Sequence, residues 1–275
     1  MKLGLKGNLH SVVLSNSKQR VVFTTFKMAS TSLKRVSETY SGVETLTIPG
    51  GFSPIVDYIK DGSTEHLPIS PVSSIKEALD PKSSKKIYFF IRRPEGAMAS
   101  AIGTVLNLEG DRLFRRLENK ALRKELLKYQ MTPKYGFLES LPHELLVDYL
   151  REALYVAPEL FYSDTHVTNF YFGKLLGTLS AISAHSPDLL NKTKILDLDQ
   201  YNKSAETLRI MSTDKLVYDP LSKENVNSLG EVSSIIEKAI KSEPVLNLDL
   251  FRVLHFYNNL CYEDIKNIYS DILLK

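Results

Sequence analysis

The chain has 275 residues, 43% apolar and 24% charged, a balance that supports a large packed core. Its formal charge of +3 is too small to argue for nucleic acid or a membrane surface as a partner. The single cysteine, Cys261, excludes an intrachain disulfide and points to a reducing compartment.

The first twenty residues lack an apolar core of signal-peptide length, and no later stretch reaches the apolar length of a membrane span. A cytoplasmic protein is therefore expected. Arg20–Phe26 (RVVFTTF) is β-branched and aromatic, which predicts a buried strand. Small polar residues follow over Lys27–Ser32, then a helical pattern over Leu33–Tyr40. Val43–Ile48 reads as a further strand that Pro49, Gly50 and Gly51 terminate. Residues 52–84 are rich in Pro, Ser and Gly and read as loop, with a short helix near Val72–Leu79. Lys85–Arg92 (KKIYFFIR) predicts a central strand, and Pro94 suits the first turn of a helix, where its missing N–H costs nothing.

Beyond that point, Glu109–Gln130, Pro142–Leu154, Val167–Ala184, Val232–Lys241 and Leu246–Leu274 read as helical, and Lys194–Leu198 as a strand. Strands alternating with helices predict an α/β fold of one domain over 1–275, with a central parallel sheet flanked by helices and a helical C-terminal part.

Two segments suit an anion. In Phe26–Val36 (FKMASTSLKRV), Lys27 brings a positive charge and Ala29 leaves room for a ligand to approach the backbone. Ser30, Thr31 and Ser32 place hydroxyls at a helix start, where amides and dipole favour negative charge. No glycine is present and the lysine comes early, so this is not a Walker A loop. In the second segment a buried strand ends at Arg92, and Ser100 follows eight residues later on the predicted helix. Ligands of open α/β sheets bind at such strand ends, and an arginine fork matches a phosphate monoester. Each segment alone is also compatible with an ordinary helix cap or a surface arginine.

Taken together and in this order, the segments resemble the sulfotransferases that use 3′-phosphoadenosine-5′-phosphosulfate (PAPS). The first is similar to the family's 5′-phosphosulfate loop, with Phe26 in place of the usual proline, and is closest to that of carbohydrate sulfotransferases. The second resembles the 3′-phosphate motif. Glu65-His66-Leu67-Pro68 is similar to the segment that carries the catalytic base of cytosolic sulfotransferases. Asp164-Thr165-His166 and Tyr262-Glu263-Asp264 resemble later fragments of the carbohydrate branch.

The resemblance implies a P-loop-like fold, PAPS as co-substrate with 3′,5′-ADP as product, and transfer of a sulfuryl group to an acceptor hydroxyl, on a small molecule or a glycan. Lys27, Ala29, Ser30, Thr31 and Ser32 are then expected to hold the phosphosulfate, with Lys27 also catalytic. Arg92 and Ser100 are expected to hold the 3′-phosphate, and His66 to act as base, with His166 as the competing candidate. No metal is implied, and the histidines show no ligand spacing.

Asp111–Lys128 carries seven basic against three acidic residues, which suits either an anionic acceptor or a solvated helix. Two rivals stay open. One is a nucleotide kinase or NTPase, for which Asp197 and Asp199 after a strand would supply a carboxylate. The other is an inactive nucleotide-binding homologue.

Overall fold

The computed structural model describes residues 9–14, 20–25, 43–48, 51–65, 67, 72–129, 137–164, 167, 171–199, 230–242 and 249–274. In chain order these form strands β1 (Leu9–Leu14), β2 (Arg20–Thr24) and β3 (Val43–Ile48), then helices α1 (Ser53–Asp61) and α2 (Val72–Leu79). Strand β4 (Lys86–Ile91) leads to α3 (Pro94–Leu108), α4 (Gly110–Arg116) and α5 (Lys120–Leu127). Next come α6 (Phe137–Ser140), α7 (His143–Val156), α8 (Pro158–Tyr162), α9 (Tyr171–His185), α10 (Pro187–Asn191) and β5 (Thr193–Asp197). The C-terminal part holds α11 (Gly230–Ser242), α12 (Asp249–Ile268), a 3₁₀ turn (Ser270–Ile272) and β6 (Leu273–Leu274).

The fold is mixed α/β. Among the described residues, six strands form a sheet in the order β3-β1-β2-β4-β5-β6. The predicted parallel arrangement holds for four strands: β2 pairs parallel with β4, β4 with β5, and β5 with β6. On the other side β1 lies antiparallel to both β2 and β3, which makes the whole sheet mixed. Strand β4 is central. Five of its six residues are buried, as expected for a strand covered on both faces.

Several predicted boundaries move, for local reasons. Residues 52–84 contain α1 as well as the short α2. Pro54 occupies the first turn of α1, where its fixed φ is already helical, and Gly62 ends it at φ 74°, donating its N–H to the Tyr58 carbonyl. The stretch 109–130 breaks into α4 and α5. The Glu152 carboxylate accepts the amides of Glu118 and Asn119, each at 3.0 Å, and the Asn119 side chain accepts the amide of Leu122 at 3.0 Å. Three of the amides at the break thereby find acceptors. At the C-terminus the helix stops at Ile268 and the chain closes on a 3₁₀ turn and β6 rather than continuing to Leu274.

The chain groups into two compact units. The sheet unit comprises Lys6–Arg93, Phe170–Leu221 and Tyr257–Lys275; the helical unit comprises Met1–Leu5, Pro94–Asn169 and Ser222–Phe256.

Within the sheet unit an aromatic series runs through the core. Phe23 stacks on Phe89 at 5.3 Å between ring centres, and Phe52 contacts Phe89 at 5.9 Å. Phe52 also meets Tyr171 at 5.4 Å, Tyr171 meets Phe172 edge-on at 5.6 Å, and Phe172 meets Tyr262 edge-on at 5.6 Å. Offset and edge-to-face contacts of this kind add to the area that the rings bury. The Tyr171 hydroxyl donates to the Phe90 carbonyl at 2.6 Å, so its one polar atom is matched inside the core.

In the helical unit α3 packs on α11, where Gly103 faces Val232 and Ile236. The buried ring of Tyr149 on α7 receives Phe137 edge-on at 6.1 Å.

Candidate functional site

The described part of the site lies at the carboxyl ends of β4 and β5, in the sheet unit. These strands are parallel, with Ile91 opposite Asp197, so the chain leaves both at one edge. Two arginines follow β4 directly, and two aspartates end and follow β5.

Asp199 gathers the arginines. Its Oδ2 accepts the Arg93 amide at 2.6 Å and lies 3.4 Å from Arg93 Nε, while its Oδ1 lies 3.9 Å from Arg92 Nε. The Arg93 contacts are the closer ones; the approach to Arg92 is at the limit of an ion pair. The Arg92 side chain is one-third exposed and Arg93 about half, so both can meet a solute.

Asp197 sits deeper, at 4% exposure. Its Oδ1 accepts the Asp199 amide at 3.0 Å and its Oδ2 accepts the Tyr262 hydroxyl at 3.0 Å. Burial pushes the Asp197 carboxyl above the usual aspartate value, against the lowering by those two donors. Burial and the Asp197 charge raise Tyr262 well above a free tyrosine, which keeps its hydroxyl protonated as the donor. Lys266, one turn along α12, lies 5.0 Å from the Tyr262 ring centre and adds positive charge beside the pair.

The expected residues divide into three groups. Arg92 stands at the carboxyl edge of β4. Ser100 belongs to the helical unit, half-buried on α3, where its carbonyl accepts the Thr104 hydroxyl at 2.9 Å. Lys27, Ala29, Ser30, Thr31, Ser32, His66 and His166 lie outside the described residues. The strand before the Lys27 segment is described, however: β2 is the parallel neighbour of β4, with Phe23 opposite Phe89.

Arg93 has no site reading from sequence, while Asp197 and Asp199 enter it only as the carboxylate of the NTPase alternative and Tyr262 only within a later fragment of the resemblance. The doubled arginine before Pro94 and the two aspartates after a strand were visible signals, but their pairing spans more than a hundred residues for Arg93 and Asp199.

The basic segment 111–128 is largely engaged with its own surroundings. Arg112 pairs with Glu109 at 3.7 Å, Arg116 with Glu159, and Lys128 with Glu125 at 2.7 Å, while Arg123 lies over the Phe114 ring at 5.3 Å. These contacts leave Arg115, Lys120 and Lys124 as the exposed charges best placed to meet an anion.

A cleft of about 490 Å³ lies elsewhere in the sheet unit, toward the amino ends of β4 and β5. Lys76, Glu77, Asp80 and His185 line it. This mixture of charges favours no single ligand class, and the cleft is at the wrong end of the strands for the usual ligand position of an open α/β sheet.

Comparison with known protein families, curated proteins and solved structures finds no match for this chain. No helix among the described residues is long and apolar enough to cross a membrane.

Proposed function

We propose that this protein is a PAPS-dependent sulfotransferase with a P-loop-like sheet. The observation that carries the reading is the parallel pairing of β2 with β4. The two segments that resemble the family's donor motifs each follow one of these adjacent strands. Parallel neighbours release the chain at the same edge, where ligands of open α/β sheets bind. Exposed arginine at that edge suits the 3′-phosphate of the donor.

In this reading Lys27 and Ser30–Ser32 hold the phosphosulfate and offset the charge that grows on its bridging oxygen. Arg92 and Ser100 fix the 3′-phosphate and so the register of the donor. His66 takes the proton from the acceptor hydroxyl, which requires it to be neutral near pH 7. PAPS supplies the activated sulfuryl group; the protein supplies position and charge stabilisation, as in phosphoryl transfer. A carbohydrate acceptor follows from the loop's similarity to the carbohydrate branch.

Calorimetric titration with 3′,5′-ADP, 5′-AMP and Mg-ATP tests the donor site. The expected result is a preference for 3′,5′-ADP that Arg92→Ala removes. One observation favours a second reading, an NTPase. Asp197 ends the parallel strand β5, where such enzymes hold a metal-binding carboxylate. A preference for Mg-ATP over 3′,5′-ADP would put that reading first.

A further inference from the structure

Arg92 and Arg93 are adjacent in sequence at the end of a buried strand, and one carboxylate serves both. Asp199 takes the Arg93 amide at 2.6 Å, the Arg93 guanidinium at 3.4 Å and the edge of the Arg92 guanidinium at 3.9 Å. Backbone amide and guanidinium converging on one oxygen is the donor set that proteins use for oxyanions. The Asp199 side chain is itself about one-quarter exposed, and it lies two residues beyond Asp197, which Tyr262 and the Asp199 amide anchor. An oxyanion is therefore already seated there, and it is carried by a segment tied to β5.

We propose that Asp199 is a built-in counter-ion that occupies the anion seat of Arg92 and Arg93 in the ligand-free protein and is displaced by an incoming phosphate monoester. The inference rests on the donor-site reading above and adds Arg93 and Asp199 to it. A doubly charged phosphate brings more charge to the arginines than the single carboxylate it replaces, and it offers more acceptor oxygens. A singly charged group gains little by the same exchange. Asp199 thus sets a threshold that favours a terminal phosphate, such as the 3′-phosphate of 3′,5′-ADP, over a diester or a neutral ribose hydroxyl. The seat also stays compensated when empty, which limits the repulsion between two adjacent guanidinium groups.

The test compares wild type with Asp199→Asn, which removes the charge but keeps an oxygen to accept the Arg93 amide. Binding of 3′,5′-ADP and of inorganic phosphate is measured by calorimetry. The counter-ion role predicts tighter binding in Asp199→Asn for both ligands, by about tenfold, the scale of one partly screened charge at contact distance near a surface. Asp199→Glu, which keeps the charge, should show no such gain. A purely structural role would instead weaken binding when Asp199 is changed. Should Asp199→Asn fail to fold, Asp199→Ser, short and still an acceptor, gives the same reading. If inorganic phosphate binds more tightly to the variant while 3′,5′-ADP binds neither protein, the counter-ion stands and the PAPS reading falls. If 3′,5′-ADP binds wild type and the variant gains nothing, the counter-ion is overturned and the PAPS reading stands. If no anion binds any of the proteins, both are overturned.

Discussion

The Tyr262 hydroxyl donates a 3.0 Å hydrogen bond to Asp197 Oδ2, joining α12 to the last residue of β5. The contact also ends the aromatic series that begins at Phe23, because the Tyr262 ring meets Phe172. A tyrosine from the C-terminal helix thus fixes the buried carboxylate beside the candidate site.

Tyr262→Phe keeps the ring packing and removes only the donor. The Asp197 carboxylate, almost fully buried, would keep the Asp199 amide and lose the Tyr262 hydroxyl. Leaving a buried acceptor short of a partner costs about 1–3 kcal/mol. Urea denaturation at neutral pH should show a loss of that size, and an unchanged midpoint would mean that the bond contributes nothing net.

Asp197 should make stability depend on pH in a definite direction. Its folded pKa is raised by burial, so between the unfolded and folded values the native state binds more protons than the unfolded chain. Its contribution is complete below the ordinary aspartate pKa of about 4 and is lost as pH rises through the folded value. Asp197→Asn cannot titrate. The stability of wild type minus that of Asp197→Asn should therefore be greatest near pH 4 and fall toward pH 7. A gap that stays constant, or grows with pH, contradicts the raised pKa.

Two glycines of α9 should respond differently to alanine. Gly177 is exposed and nothing lies within 4 Å of the position a Cβ would take, so Gly177→Ala should stabilise by roughly 0.5–1 kcal/mol through helix propensity. At Gly173 a Cβ would collide with the phenol of Tyr257, whose hydroxyl also bonds the buried Cys261 thiol. The partly exposed Tyr257 ring can swing aside, but it loses that contact, so Gly173→Ala should forfeit the gain seen at Gly177. Paired thermal melts decide the matter; equal midpoints for the two variants would show that the ring moves at no cost.

Under the proposed reaction, His66→Ala should lower turnover by about 10²–10⁴ while 3′,5′-ADP affinity stays unchanged. His166→Ala should leave turnover close to wild type. The reverse pattern in a PAPS-coupled assay would move the base to His166, and a loss of donor affinity in His66→Ala would give that residue a binding role instead.

Much of the framework was legible because it is written locally. KKIYFFIR announces a strand buried on both faces, and its neighbours Arg20–Thr24 and Thr193–Asp197 carry the same β-branched signature. Pro94 marked a helix start through its fixed φ alone. By contrast β1, reading LHSVVL, was not picked out. Its place between β2 and β3 rests on ladders to both neighbours, and ladder partners are not visible in six residues. Helix α1 was hidden by its surroundings, since Pro54 and Gly62 resemble loop composition until they are seen to start and stop a helix. The break between α4 and α5 depended on Glu152, a residue more than thirty positions away.

At the candidate site the same division holds. By itself the sequence determined that an arginine ends a buried strand, that a hydroxyl-rich segment follows another, and that aspartates follow a third, because strand signals and strand ends are properties of a few neighbouring residues. Only the tertiary structure decided that the first two strands are parallel neighbours, that Asp199 meets both arginines, and that Tyr262 holds Asp197. Those are choices of register and packing between segments far apart in the chain. They are fixed by burying the sheet and by matching each buried polar group to a partner, and no local pattern encodes which partner that will be.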